Sequence, residues 1–200
     1  MVFLVISKIE ENRSRKLQIR NAVDILKLNM PCKDCGQIFE PFCMDFDHLF
    51  NKCMSVSSMI QCRFGLPKIL KEIEKCELVC VLCHKKRTYD RSCAKNKSMS
   101  NHALHNRKYI QKYKDIIEAY KNKTCNICGN AYPNYQMEFD HLCNKIMPIS
   151  VMANKRVPID MFLEELNKCQ VLCSLCHRRK TIKEFECMWN NIRIGNINEL

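Results

Sequence analysis

The sequence predicts an α+β chain built from two copies of one small unit with additional helices, and three observations predict it. The first is an internal repeat. Cys32-Lys-Asp-Cys35, Met44-Asp-Phe-Asp-His-Leu49 and Cys76-Glu-Leu-Val-Cys-Val-Leu-Cys-His84 return as Cys125-Asn-Ile-Cys128, Met137-Glu-Phe-Asp-His-Leu142 and Cys169-Gln-Val-Leu-Cys-Ser-Leu-Cys-His177. The offset is constant, since 125 − 32, 141 − 48 and 177 − 84 are all 93, and a fixed period marks a repeated structural unit. The second is that each copy mixes short alternating stretches with longer stretches of helical period. The third is size. Half of a 200-residue chain is marginal on a hydrophobic core alone and gains from a metal staple.

The elements follow in order. Residues 13–28 read as an amphipathic helix with Leu17, Val23 and Leu28 near one face and basic residues at its start, and Pro31 ends it. Cys32–Gly36 is a knuckle whose glycine permits the tight turn after the second thiol. Residues 42–48 alternate as a short strand ending at His48, and a polar loop follows. Residues 67–75 form a short helix with Pro67 in its first turn. Glu77–Cys80 is a second strand. Leu82–Tyr89 begins a helix that carries His84, Lys85, Lys86 and Arg87.

Tyr89–Asn101 is polar and weakly patterned and reads as the linker, which places the units at 1–98 and 99–200. In the second copy His105–Lys121 is the leading helix, with Tyr109, Ile110, Tyr113, Ile116, Ile117 and Tyr120 at helical spacing. Val157–Lys168 is the short helix, and its Phe162, Leu163 and Leu166 match Ile69, Leu70 and Ile73. These stripes read as core. From Glu184 on, Phe185, Met188 and Trp189 sit in a helical tail with no counterpart in the first copy.

Thirty-three basic residues against 21 acidic give a net charge of +12, and the excess is shared by both halves. Such a balance favours polyanionic partners. Eight of the sixteen cysteines form Cys-x-x-Cys pairs, which suit metal better than disulfides. Cys43, Cys53, Cys62, Cys93, Cys143 and Cys187 lack repeat partners and read as free. Cys76 and Cys169 repeat and read as buried strand positions. The apolar start Met1–Ile6 is too short for a signal sequence, and no run approaches 18 apolar residues. The expected compartment is reducing and intracellular, cytoplasm or nucleus or nucleoid, with a mobile element, phage or virus among the expected origins.

Structural zinc takes four tetrahedral thiolate or imidazole ligands. Cys32, Cys35, Cys80 and Cys83 supply one set, and Cys125, Cys128, Cys173 and Cys176 the other. Between Cys35 and Cys80 stand 80 − 35 − 1 = 44 residues, against roughly 15–20 in common ribbons, so something is built between the pairs. Asp47-His48 and Asp140-His141 lie there, and 36 residues further on (84 − 48, 177 − 141) come His84 and His177. An Asp and a His converging on one point can hold Mg²⁺ or Mn²⁺, and a second His can take a proton from water attacking a phosphodiester. The alternatives are that His84 replaces a thiol on zinc, or that both histidines serve packing.

This motif set resembles the HNH endonuclease family in its four-cysteine zinc form: Cys-x-x-Cys, Phe-Asp-His-Leu, then Cys-x-x-Cys-His followed by basic residues and Thr. The resemblance covers residues 32–88 and 125–181. It implies two tandem zinc-stabilised ββα-metal units. It implies His48 and His141 as general bases, Asp47 with His84 and Asp140 with His177 as holders of the divalent ion, and the eight thiols on two structural Zn²⁺ per chain. One departure is that Lys75 and Lys168 stand where the family usually has Asn. Lys85, Lys86, Arg87, Arg178, Arg179 and Lys180 then read as phosphate contacts, which give affinity without sequence specificity. The expected function is metal-dependent hydrolysis of DNA, with double-stranded DNA as partner. The alternative is a zinc-dependent nucleic-acid-binding protein with weak or no catalysis.

Overall fold

The computed structural model describes residues 2–95 and 101–195, and within them not the side chains of 2–10, 13, 95, 101–109 and 186–195. The chain is α+β: among the described residues it holds eight α-helices and two small two-stranded sheets. It divides into two compact units, Met1–His84 and Lys85–Leu200. No described helix is long and apolar enough to cross a membrane.

In the first unit, α1 spans Val2–Ile25, starting well before the expected residue 13. Its packed residues are Ile19 and Val23, one helical turn apart, against Val56, Met59, Ile60 and Ile69. Leu17 and Leu28, expected on that face, are 58 % and 55 % exposed. Six residues carry a helix about 240° around its axis, so Leu17 points away from Val23. Leu28 lies in the turn beyond the helix end.

A 3₁₀ turn at Pro41–Cys43 leads into β1, Met44–His48. The stretch expected as polar loop contains α2, Val56–Gln61, whose N-cap Ser55 accepts the Ser58 N–H. Then come α3, Leu66–Ile73, with Pro67 in its first turn, and β2, Cys76–Cys80. β1 and β2 pair antiparallel, with Met44 opposite Cys80 and His48 opposite Cys76. Helix α4, Val81–Lys95, follows β2 without a loop.

Residues 89–95, expected as linker, thus continue α4. Tyr89 is fixed by stacking on Tyr135, ring centroids 4.4 Å apart. Residues 96–100 of the expected linker lie outside the described residues.

The second unit, which also takes in α4 from Lys85 on, repeats the order. Its elements are α5 (Asn101–Lys121), β3 (Met137–His141), α6 (Ile149–Lys155), α7 (Ile159–Asn167), β4 (Cys169–Cys173) and α8 (Ser174–Gly195). β3 and β4 pair in the same register, Met137 with Cys173 and His141 with Cys169. The core joins Tyr113, Ile149, Met152, Phe162 and Leu166, with Ile116, Ile117, Tyr120 and Leu163 packed around it, as the apolar stripes predict. Tyr113 and Phe162 meet edge to face at 5.0 Å, a favoured aromatic geometry. α8 runs through the expected tail; the Met188 and Trp189 side chains lie outside the description.

Candidate metal centres and the acid–histidine clusters

Each four-thiol set is assembled by a knuckle and by the strand-to-helix junction. In the first, Cys32 N–H donates to the Gln37 carbonyl and Gly36 N–H to the Cys32 carbonyl, at 2.8 and 2.9 Å. Gly36 has φ +70°, the left-handed conformation this tight turn needs. The knuckle is tied to β2 by Lys33 N–H on the Leu78 carbonyl. Cys80 ends β2, and its sulfur accepts the Cys83 N–H in the first turn of α4, so a thiol does the work of an N-cap.

The ligand atoms of Cys32, Cys35, Cys80 and Cys83 lie within 4.8 Å of one another, as do those of Cys125, Cys128, Cys173 and Cys176. Each group can hold one metal ion and is compatible with Zn²⁺. Burial raises the Cys32 thiol, but N–H donors from Cys35, Cys80 and Asp34 outweigh it and bring it down to about 7. In Cys125 burial is likewise outweighed, by N–H donors from Cys128, Cys173 and Ile127, and the thiol falls to about 6.

Strand alternation puts Asp45 and Asp47 on one face of β1. His84, the residue after the last thiol, meets both: Nδ1 lies 2.9 Å from Asp45 Oδ2 and Nε2 3.4 Å from Asp47 Oδ1. The second copy repeats this. His177 Nδ1 bonds to Glu138, and Nε2 lies 3.4 Å from Asp140 Oδ1. The pairs Asp47–His84 and Asp140–His177 are therefore brought together, and Asp45 and Glu138 join them as members the sequence reading did not single out. Two carboxylates and an imidazole are hard-to-borderline donors of the kind Mg²⁺ and Mn²⁺ take. In the conformation seen, each imidazole lies between its two acids, one nitrogen to each.

Charge in the second cluster is strongly compensated. Burial raises the Glu138 carboxyl, but the bond from His177 and the Lys85 ammonium at 2.6 Å hold it well below the usual range. Burial also raises Asp140, and bonds from Lys180 and Gln170 overcome it. The Glu138 bond in turn raises the His177 imidazole. Lys180, expected on phosphate, thus holds Asp140 and also Glu184, at 3.2 Å. Lys86 pairs with Asp90 on the exposed surface of α4 at 2.8 Å.

His48 and His141 project to the other face of their strands. His48 Nε2 lies 3.0 Å from Glu72 Oε1, and His141 Nε2 3.1 Å from Glu165 Oε1. Their side chains are 7 % and 10 % exposed. Glu72 and Glu165 are buried within α3 and α7, and the sequence reading did not single them out. The signal was present: Glu72 and Lys75 recur as Glu165 and Lys168 at the 93-residue offset (165 − 72, 168 − 75).

Cys76 and Cys169 donate to the Glu72 and Glu165 carbonyls at 3.3 and 3.4 Å. Burial first, then the neighbouring glutamate, pushes each thiol up to about 11, so both stay protonated. Cys43 is buried, and Cys53, Cys62, Cys93 and Cys143 are exposed and free. Cys187 lies outside the described side chains.

No family model matches the chain, and no curated protein or solved structure matches it.

Proposed function

We propose that the protein is a metal-dependent endonuclease with two tandem units acting on double-stranded DNA. One observation carries the reading. A carboxylate pair and a histidine meet beside a four-thiol set, in both copies, on a strand–strand–helix frame of the same register. In this reading the eight cysteines hold two structural Zn²⁺, which lock the strand end to the helix start. Asp47, His84, Asp140 and His177, with Asp45 and Glu138, hold Mg²⁺ or Mn²⁺. A divalent ion there supplies Lewis-acid polarisation of the scissile phosphate. His48 and His141 take the proton from the attacking water. The net charge of +12 supports a polyanionic substrate.

A second reading is a zinc-dependent nucleic-acid-binding protein without catalysis. It is favoured by the burial of His48 and His141 against Glu72 and Glu165, on the strand face opposite the acid–histidine clusters. The two readings separate on supercoiled plasmid. Zinc-loaded protein free of other divalent ions is compared before and after addition of Mg²⁺ or Mn²⁺, which avoids a chelator that would also strip zinc. Cleavage that appears with the added ion supports the nuclease. Plasmid retarded but uncut at every ion concentration supports the binder.

A further inference from the structure

Three contacts of the buried glutamates recur at the same offset. Glu72 Oε1 accepts the Cys53 N–H at 2.9 Å and faces His48 Nε2 at 3.0 Å, while Oε2 accepts Lys75 Nζ at 2.7 Å. Glu165 Oε1 accepts the Ile146 N–H at 2.8 Å and faces His141 Nε2 at 3.1 Å, while Oε2 accepts Lys168 Nζ at 2.8 Å. Cys53 and Ile146 are themselves 146 − 53 = 93 apart. The side chain there has changed and the bond has not, because only the backbone N–H is used.

The residue after each histidine is held as well. Leu49 N–H donates to the Lys75 carbonyl at 3.0 Å and Leu142 N–H to the Lys168 carbonyl at 2.9 Å. Asn51 and Asn144 then turn the chain at φ +43° and +40°, a region where Asn is among the few residues at ease. A buried helix residue, a lysine three positions on, a loop N–H and the imidazole therefore form one brace, built twice.

The brace dictates a tautomer. An ionised carboxylate only accepts hydrogen bonds, and with an ammonium and a backbone N–H on it, each glutamate is ionised. The imidazole nitrogen facing it must carry the hydrogen. In the first copy the bond is formed. In the second the distance is the same within 0.1 Å, but the hydrogen bond itself is not formed, and the buried His141 Nε2 has no hydrogen-bond partner among the described residues. Neutral imidazole with a hydrogen on Nε2 keeps its lone pair on Nδ1.

We propose that Glu72 and Glu165 are positioning residues for His48 and His141, fixing each imidazole as the Nε2–H tautomer so that Nδ1 is its basic atom. This rests on the reading of His48 and His141 as general bases. When Nδ1 accepts the proton from water, the imidazolium keeps its Nε2–H directed at the carboxylate, and the ring is held without rearrangement. Lys75 and Lys168 act one step further out, as the counter-charge of the glutamate.

The test has a spectroscopic arm that needs no activity. In zinc-loaded, ¹⁵N-histidine-labelled full-length protein at mildly alkaline pH, long-range ¹H–¹⁵N correlations are assigned with His48→Ala and His141→Ala. Nε2–H tautomers for both residues are expected, with a shift toward Nδ1–H in Glu72→Gln and Glu165→Gln, because a glutamine amide can donate to Nε2. Nδ1–H tautomers in the wild-type protein overturn the proposal, whether or not any variant folds. In the kinetic arm the double Gln variant loses about 10–100-fold in kcat, the range for outer-shell partners, with KM within twofold. Wild-type kcat in that variant overturns the positioning role if His48→Ala/His141→Ala is dead. Full cleavage by His48→Ala/His141→Ala overturns instead the base reading beneath it.

Discussion

The Nδ1 of His84 lies 2.9 Å from the Asp45 carboxylate, linking the first turn of helix α4 to strand β1. The same bond links His177 to Glu138 in the second copy. The acidic partner is Asp in one copy and Glu in the other, so the contact has survived a change of side-chain length. Asp45→Ala and Glu138→Ala are expected to raise the Mn²⁺ concentration for half-maximal cleavage about 10–100-fold, with zinc content unchanged. Metal titration of cleavage checks this. An unchanged midpoint in both variants removes the two acids from the ion site.

Zinc content tests the four-thiol groups independently of the acid–histidine clusters. Native mass spectrometry is expected to find two Zn²⁺ per chain, one for each four-thiol group. Cys83→Ser and Cys176→Ser should each lose one ion and unfold only their own unit, because metal affinity is folding free energy in so small a core. Folded, reduced protein without zinc contradicts this.

Acid stability carries a signature of the glutamate braces. Glu72 is lowered to about 2, chiefly by its bond from Lys75. Glu165 reaches about 2 because Lys168 and two backbone N–H groups outweigh burial. A carboxyl lowered in the folded state adds stability that is complete above its unfolded value of about 4.3 and is lost as pH falls toward 2. The stability gap between wild type and Glu72→Gln/Glu165→Gln should therefore shrink between about pH 5 and pH 2. Urea unfolding across that range measures it, since thiol protonation affects both proteins alike. A gap independent of pH would remove the braces as a source of acid sensitivity.

The aromatic core of the second unit sets a separate scale. Phe162 is fully buried against Tyr113. Phe162→Ala should destabilise that unit by about 3–5 kcal/mol, read by denaturant unfolding, with no effect on the thiol set of the first unit. A loss below about 1 kcal/mol contradicts the packing.

The thiol sets were legible because metal-ligand chemistry fixes both residue type and spacing, and the repeat displays both twice; the pairing of Asp47 with His84 and of Asp140 with His177 came from the family resemblance that the motifs carry. Asp45 and Glu138 were less legible because an acid two positions along a strand reads as ordinary surface until alternation is applied. Glu72 and Glu165 were harder to find because their partners His48 and His141 lie 24 residues earlier (72 − 48, 165 − 141), and in a helix rich in charge only their recurrence at the repeat offset marks them out. The continuation of α4 through residues 89–95 was missed because an exposed polar helix carries no apolar period. Leu17 was misassigned because hydrophobicity was weighed above its angle to Val23.

The salt dependence of DNA binding tests the proposed phosphate contacts Lys86 and Arg179. Lys86 pairs with Asp90 in the open, and an exposed pair of this kind contributes at most about 1 kcal/mol, so the lysine can exchange it for a phosphate. Lys86→Ala and Arg179→Ala should each weaken binding across all sequences and reduce the slope of log K against log salt by about 1. Slopes equal to wild type in both variants place these residues outside the interface.

The most direct test of the central claim, that the acid–histidine clusters hold the ion for phosphodiester hydrolysis, is cleavage of supercoiled plasmid by the double variant His84→Ala/His177→Ala at saturating Mn²⁺. Zinc content and DNA affinity are measured on the same preparation. The account predicts two zinc ions, near-wild-type affinity and no linear or nicked product, against ready cleavage by the wild-type protein. Wild-type cleavage by this variant, or no cleavage by the wild-type protein itself, contradicts it.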